Sequence, residues 1–229
     1  MEKKRSHAKL LRGAFVTFEG GEGGGKSTII SLVKKRIEEY GHKVVISREP
    51  GGTVYAEAIR NLIFDPHKTA DGEGGVHGRT EVLLFCASRA QHIEGFVRPM
   101  LEEGWIVLCD RFEDSTFAYQ GAGRKLLLTH QRMIPMISAF ARQDIYPSLT
   151  ILLDIDPRVG LERKMKAEGK GAEVNRFDEE MLGFHDRIRH AYLRMARKDP
   201  KRWRVINASQ TVNRALEDVW LVSSKHLGI

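Results

Sequence analysis

Residues 20–27 read Gly-Gly-Glu-Gly-Gly-Gly-Lys-Ser, which fits G-x-x-x-x-G-K-[ST] with five glycines in eight positions. The apolar run 14–18 precedes it, and a helical pattern with Ile29, Ile30, Leu32, Val33 and Ile37 on one broad face follows. Strand, glycine loop and helix together form the setting of a phosphate-binding loop. Gly20, Gly21, Gly23, Gly24 and Gly25 let successive backbone N–H groups converge on phosphate oxygens, where side chains would obstruct the approach. The helix opening at Lys26-Ser27-Thr28 adds orphan donors and a positive dipole end. Lys26 is placed to reach the β- and γ-phosphates of a nucleotide, and the Ser27 hydroxyl to ligate Mg²⁺. A glycine-rich turn without ligand is the plainer reading, but spacing, Lys-Ser and flanks all argue against it.

Three further groups carry chemistry. The apolar run 105–109 leads into Asp110-Arg111-Phe112. A carboxylate at the carboxyl end of a parallel strand stands where open α/β sheets bind their ligands. Beside a phosphate loop, Asp110 would hold Mg²⁺ directly or through water, and Arg111 suits an anionic substrate. The second strand ends in Ser47-Arg48-Glu49-Pro50-Gly51-Gly52-Thr53. Its proline fixes a turn and its glycines allow close backbone approach; an ordinary strand-to-helix connection competes with a substrate-binding role. In the helical stretch 83–89, Phe85 and Arg89 are four apart and share a face. A ring for stacking beside a cation for hydrogen bonding suits a nucleobase, although a core Phe and a surface Arg is the commoner meaning.

These groups need a scaffold. Five β-type runs (14–19, 43–47, 105–109, 149–154 and 203–207) alternate with helical patterns, which implies parallel βαβ units and a sheet covered on both faces. The strands are apolar throughout rather than alternating, as doubly buried strands are. The expected fold is α/β, a P-loop NTPase-type doubly wound five-stranded parallel sheet with flanking helices and a mobile lid. At 229 residues and 41% hydrophobic content, the chain suits one domain over 14–229 behind a basic tail at 1–13. The tail carries Lys3, Lys4, Arg5, Lys9 and Arg12 against Glu2, or +4 of the net +7, which leaves +3 for the rest. That distribution reads as a solvated tail rather than a nucleic-acid-binding face. No run approaches the ~18 apolar residues of a membrane span. The basic start lacks an apolar signal core, so the cytoplasm is the default compartment. Cys86 and Cys109 read as buried free thiols. Segment 65–80 reads as a polar surface loop, with His67, Asp71, Glu73 and His77 at no recognised metal spacing. Segment 162–178 is charged, with Gly169 and Gly171 as candidate hinges, and reads as a charged surface helix or a cation-bearing lid.

The ordered strings Phe18-Glu19-Gly20 to Thr28, Arg48-Glu49-Pro50-Gly51-Gly52-Thr53, Glu81 to Phe85, Ser88-Arg89-Ala90-Gln91-His92, Asp110 to Gly121, and Tyr146-Pro147-Ser148-Leu149-Thr150 into Asp154 resemble the thymidylate kinase family. The resemblance covers nearly the whole chain and implies transfer of the ATP γ-phosphate to dTMP. It implies that the loop amides and Lys26 hold the ATP phosphates with Ser27 and Asp110 at Mg²⁺, and that Glu22 lies near the dTMP sugar and the metal. Arg111 and Arg60 would clamp the dTMP phosphate, with Glu49 and Pro50 at the substrate. Phe85 would stack on thymine and Arg89 donate to a thymine carbonyl. Tyr119 would pack on the deoxyribose, and Ser115, Thr116 and Gln120 would line the base pocket. A homodimer packed through helices is also implied, with no direct nucleic-acid binding.

The loop's variable positions hold no arginine, which resembles the bacterial-type subgroup whose lid (about 160–178) supplies the catalytic arginine. This lid departs from that pattern, reading Arg163-Lys164-Met165-Lys166 and later Asn175-Arg176. Lysine lacks arginine's planar fork. The expectation is Arg163 at the transferred phosphoryl, with Lys166 one turn further along the same face. Competing readings are a P-loop kinase for another pyrimidine deoxynucleotide or nucleoside, a nucleic-acid-associated P-loop ATPase, and an inactive homologue.

Overall fold

The computed structural model describes residues 12–64, 76–130, 132–167 and 176–229, with side chains in the last segment described from Leu182 onward. Five strands form one all-parallel sheet: β1 (Ala14–Glu19), β2 (Val44–Arg48), β3 (Ile106–Asp110), β4 (Leu149–Asp154) and β5 (Trp203–Asn207). Their spatial order is β2-β3-β1-β4-β5. The chain leaves β1 towards β2 on one side and leaves β3 towards β4 on the other. A crevice therefore opens at the carboxyl ends of β1 and β3, the usual ligand position in such sheets.

The five expected strands are all present, two of them shifted by one residue. That shift puts Arg48 and Asp110 inside β2 and β3, where they are in register with each other, while Phe18 pairs with Asp110. Glu19, Arg48 and Asp110 thus end three neighbouring strands at one edge.

Side chains alternate across the sheet. Val16 and Phe18 face α1 (Lys26–Glu39) and α9 (Val212–Leu227), joining Ile29, Ile30, Val33, Ile37, Leu216 and Val219 in one core layer. Phe15, Val107 and Cys109 face the other side and pack on Ile93, Val97, Leu101 and Phe112. Both cysteines are buried and free, as the sequence implied.

The remaining helices cover the sheet. They are α2 (Val54–Ile63), α3 (Gly78–His92), α4 (Arg98–Glu102), α5 (Glu113–Thr116), α6 (Met133–Arg142), α7 (Pro157–Ala167) and α8 (Arg176–Lys198). Of these, α2, α3, α5, α7 and α8 contribute residues to the crevice. The α3 helix begins inside the segment read as loop. His77 accepts from the Arg79 N–H at 3.3 Å and caps it, since a side-chain acceptor at the N-cap satisfies an orphan donor. His67, Asp71 and Glu73 lie outside the described residues, as do Gly169, Gly171 and Asn175 of the expected lid. Among the described residues no cluster of three or more His, Cys, Asp or Glu is placed to hold a metal.

Candidate active site

The phosphate loop is shaped by backbone rather than by side chains. Gly20, Gly23 and Gly25 have φ of 141°, 66° and 76°, values L-residues rarely adopt. A Cβ at Gly20 would meet the Leu153 carbonyl oxygen at 2.5 Å, and one at Gly23 would meet the Gly160 carbonyl oxygen at 1.9 Å. Gly160 is in α7, and a Cβ there would meet the Glu22 carbonyl oxygen at 2.3 Å. The loop and α7 therefore touch backbone to backbone. Lys26 is buried at the start of α1 and donates to the carbonyls of Gly20 and Gly21 at 3.2 and 2.9 Å. Burial, reinforced by the nearby Arg111 cation, pushes its ammonium down to about 8.

Arg111 follows β3 with φ 71°, a left-handed conformation that costs about 1–2 kcal/mol for a residue with a Cβ. Its N–H donates to the Phe18 carbonyl at 2.9 Å, tying the turn to β1. Its guanidinium lies 4.8 Å from the Tyr119 ring and donates to Ser115 and Tyr192 at 3.3 Å each and to Glu22 at 3.4 Å. Glu22 also faces the Tyr119 hydroxyl and the Lys164 ammonium, both at 3.4 Å. Burial alone would raise the Glu22 carboxyl; Arg111, Lys164 and Lys26 outweigh it and hold it below the usual carboxylate range.

The opposite wall belongs to α2, α3 and the turn after β2. Arg60 donates to the Pro50 carbonyl at 2.9 Å and lies 5.1 Å from the Phe64 ring. Phe64 in turn meets the Phe85 ring edge-on at 6.3 Å. Arg89 is 1% exposed, and its Nε donates to Glu49 at 2.8 Å while Nη2 donates to Thr116 at 2.9 Å. Gln120 donates to Glu81 at 3.4 Å, and Arg124 pairs with the same carboxylate at 2.5 Å. Tyr119 and Gln120 sit in a π-helical stretch, Phe117–Gly123. Its wider turn changes which residues share a face, a feature frequent at functional sites.

These residues enclose one open cleft of about 860 Å³, a size suited to small-molecule ligands. Of the expected site residues, Glu22, Gly23, Gly24, Gly25, Lys26, Ser27, Thr28, Glu49, Pro50, Arg60, Phe85, Arg89, Asp110, Arg111, Ser115, Thr116, Tyr119 and Gln120 all line it. Seven cations (Lys26, Arg48, Arg60, Arg89, Arg111, Arg124 and Lys164) face four carboxylates (Glu22, Glu49, Glu81 and Asp110), so the cleft favours anions. Phosphate loop and aromatic, arginine-bearing wall thus share a single chamber. The residue pattern agrees with a family model described as Thymidylate kinase, which matches residues 18–219.

The chain belongs to the thymidylate kinase family.

Relatives support this across nearly its full length. A thymidylate kinase from Magnetococcus marinus is 42% identical over 210 residues, covering 92% of this chain and 95% of the relative. One from Thermomicrobium roseum is 44% identical over 206 residues, with 90% and 92% covered. The crystal structure of a thymidylate kinase from Ehrlichia chaffeensis superposes with a TM-score of 0.70 at 33% identity, covering 93% of this chain and 98% of that one.

Within this family member, two groups of residues stand differently from the sequence expectation. Arg163 points away from the cleft, donating to the carbonyls of Ala208 and Ser209 at 2.8 and 3.1 Å. Lys164 is the α7 cation that lines the cleft. Arg163 and Lys164 are adjacent, and the rotation of α7 decides which enters; residue type alone does not reveal that.

The second group is an organising layer that sequence reasoning passed over. Glu19 is fully buried at the end of β1. It accepts from the Phe112 N–H at 2.8 Å, the Ser115 hydroxyl at 2.7 Å and the Tyr192 hydroxyl at 2.8 Å. Burial and the nearby Asp114 carboxylate push its carboxyl up to about 7, against the pull of Arg111. Ser115 and Thr116 are therefore bound by protein partners as well as lining the cleft. The only sequence hint was a glutamate ending an apolar strand.

Mg²⁺ fits the donors present. The Asp110 Oδ1 atom is buried with no hydrogen-bond partner, and Ser27 is exposed at the first turn of α1. Both are hard oxygen donors of the kind Mg²⁺ takes.

Proposed function

We propose that this chain transfers the γ-phosphate of ATP to dTMP, giving dTDP and ADP. One observation carries the reading: a phosphate loop and a base-sized wall of Phe85, Arg89 and Tyr119 line the same cleft. A transferase needs both substrates in one chamber with their phosphates facing.

In the proposed complex the loop amides and Lys26 hold the ATP phosphates. Lys26 exchanges its two carbonyl contacts for phosphate oxygens. Ser27 and Asp110 would hold Mg²⁺, which would supply neutralisation of phosphate charge. Arg60 and Arg111 hold the dTMP phosphate. Phe85 stacks on the base, Arg89 donates to it and Tyr119 packs on the sugar, with Thr116 and Gln120 beside them. Glu22 lies near the sugar and keeps Arg111 and Lys164 paired until phosphates arrive. Lys164 supplies the lid cation, while Arg163 braces α7 against the loop after β5. Phosphoryl transfer leaves little covalent work to the protein, so positioning and charge neutralisation dominate.

The protein is proposed to act in the cytoplasm as a homodimer. The exposed apolar side chains of three adjacent helices support the dimer: Tyr55 and Leu62 on α2, Leu83 on α3, and Met133, Met136 and Phe140 on α6. Among the described residues no helix is long and apolar enough to cross a membrane.

A coupled assay of ADP release with dTMP, dUMP, dCMP and thymidine tests the substrate. The expected result is the highest kcat/KM with dTMP. Preference for thymidine, or ATP hydrolysis stimulated by DNA with no monophosphate turnover, would overturn the reading.

A further inference from the structure

Ser47, Glu49 and His92 form a buried chain that the catalytic reading leaves unused. The Ser47 hydroxyl lies 2.6 Å from His92 Nε2, and His92 Nδ1 lies 3.1 Å from Glu49 Oε1. The other Glu49 oxygen, Oε2, accepts from Arg89 Nε at 2.8 Å. All four residues are buried, His92 and Arg89 to 1% exposure or less. Arg89 and His92 are three apart on α3, so both reach the same carboxylate. The His92 ring is stacked on Phe96, with centroids 5.9 Å apart and planes 14° from parallel. Backbone closes over it: a Cβ at Gly52 would lie 2.6 Å from His92 Cδ2 and 2.7 Å from Ser47 Oγ.

The arrangement constrains protons and geometry. A carboxylate paired with arginine is an acceptor only, so His92 donates from Nδ1; in the neutral ring its Nε2 then accepts from the Ser47 hydroxyl. Oε1 faces His92, and Arg89 reaches Glu49 at Oε2 rather than through the two-toothed fork that arginine favours with a free carboxylate. It pairs through Nε alone, and Nη2 turns to Thr116 at the cleft wall. We propose that His92, anchored by Ser47, is a positioning residue for base recognition, holding Arg89 in its cleft-facing orientation through Glu49. This rests on Arg89 contacting the base of the monophosphate.

The test compares two isosteres. Asparagine carries its amide nitrogen where histidine carries Nδ1, and glutamine reaches the position of Nε2. In His92→Gln, which loses the Glu49 contact, KM for the monophosphate is expected to rise about tenfold, with kcat and ATP KM within about twofold. In His92→Asn, which keeps that contact, the rise is expected to stay within about threefold. The assay uses whichever pyrimidine monophosphate the wild type turns over best, so an error in the substrate leaves the comparison valid. Long-range ¹H–¹⁵N spectra of the nucleotide-free protein are expected to place the His92 proton on Nδ1. Equal effects of the two variants, parallel losses in ATP KM and thermal stability, or a proton on Nε2 would overturn the proposal.

Discussion

Arg163 and Lys164 point about 100° apart around α7 because an α-helix turns once every 3.6 residues. One braces Ala208 and Ser209, and the other faces Glu22. Lys164→Ala is therefore expected to lower kcat about thirtyfold, roughly 2 kcal/mol of transition-state stabilisation, with a smaller effect on dTMP KM. Arg163→Ala is expected to act mainly on ATP KM. Steady-state kinetics of the two variants check this, and the reverse pattern would return the phosphoryl contact to Arg163. Lys26 gives a second test at this scale. Burial and the Arg111 cation push its ammonium down to about 8, and bound phosphates would raise that value by attraction. Nucleotide binding then takes up a proton above pH 8. Affinity is full below about pH 8 and falls by up to tenfold per unit as pH rises above it. Calorimetric titration with a non-hydrolysable ATP analogue between about pH 7 and 9.5 reads this; a flat profile contradicts it. The motif residues were legible because local spacing carries them. The partners of Glu19 and Glu49 were not, because Tyr192 lies 173 positions from Glu19 and His92 lies 43 from Glu49. No local pattern encodes such pairings.

At the scale of elements, the joint between the phosphate loop and α7 matters most. Gly23 and Gly160 meet without side chains, and Gly23 also needs its positive φ. Gly160→Ala places a methyl 2.3 Å from the Glu22 carbonyl oxygen, so the loop and α7 must separate. The expected cost is about 1–3 kcal/mol of stability together with weaker ATP binding, since the loop amides shift. Thermal unfolding and ATP KM measured on that variant check it; unchanged values for both would show that the joint tolerates a methyl group. The strands were legible to within one residue because apolar runs bounded by turn residues signal buried strands. Two features were hidden. The start of α3 at Gly78 was masked by its polar, glycine-rich sequence. The π-helical stretch holding Tyr119 and Gln120 has no local signature, because an i→i+5 turn is stabilised by packing rather than by propensity.

At the scale of the molecule, the sheet order makes a crevice, and α2, α3 and α6 carry exposed apolar side chains. Phe140 on α6 and Tyr55 on α2 are 75% and 72% exposed, and a dimer interface is proposed to cover them. Sedimentation equilibrium is expected to give a dimer, and Phe140→Glu with Met136→Glu is expected to give a monomer; a wild-type monomer contradicts the proposed interface. The cationic lining of the cleft favours anionic substrates. One chamber is proposed to pass a phosphoryl group between two nucleotides. Incubation with [γ-³²P]ATP, Mg²⁺ and dTMP, followed by separation of products, tests it most directly. The expected result is label in the β-phosphate of dTDP, with little inorganic phosphate. Label recovered as inorganic phosphate alone, with none in dTDP, would contradict it.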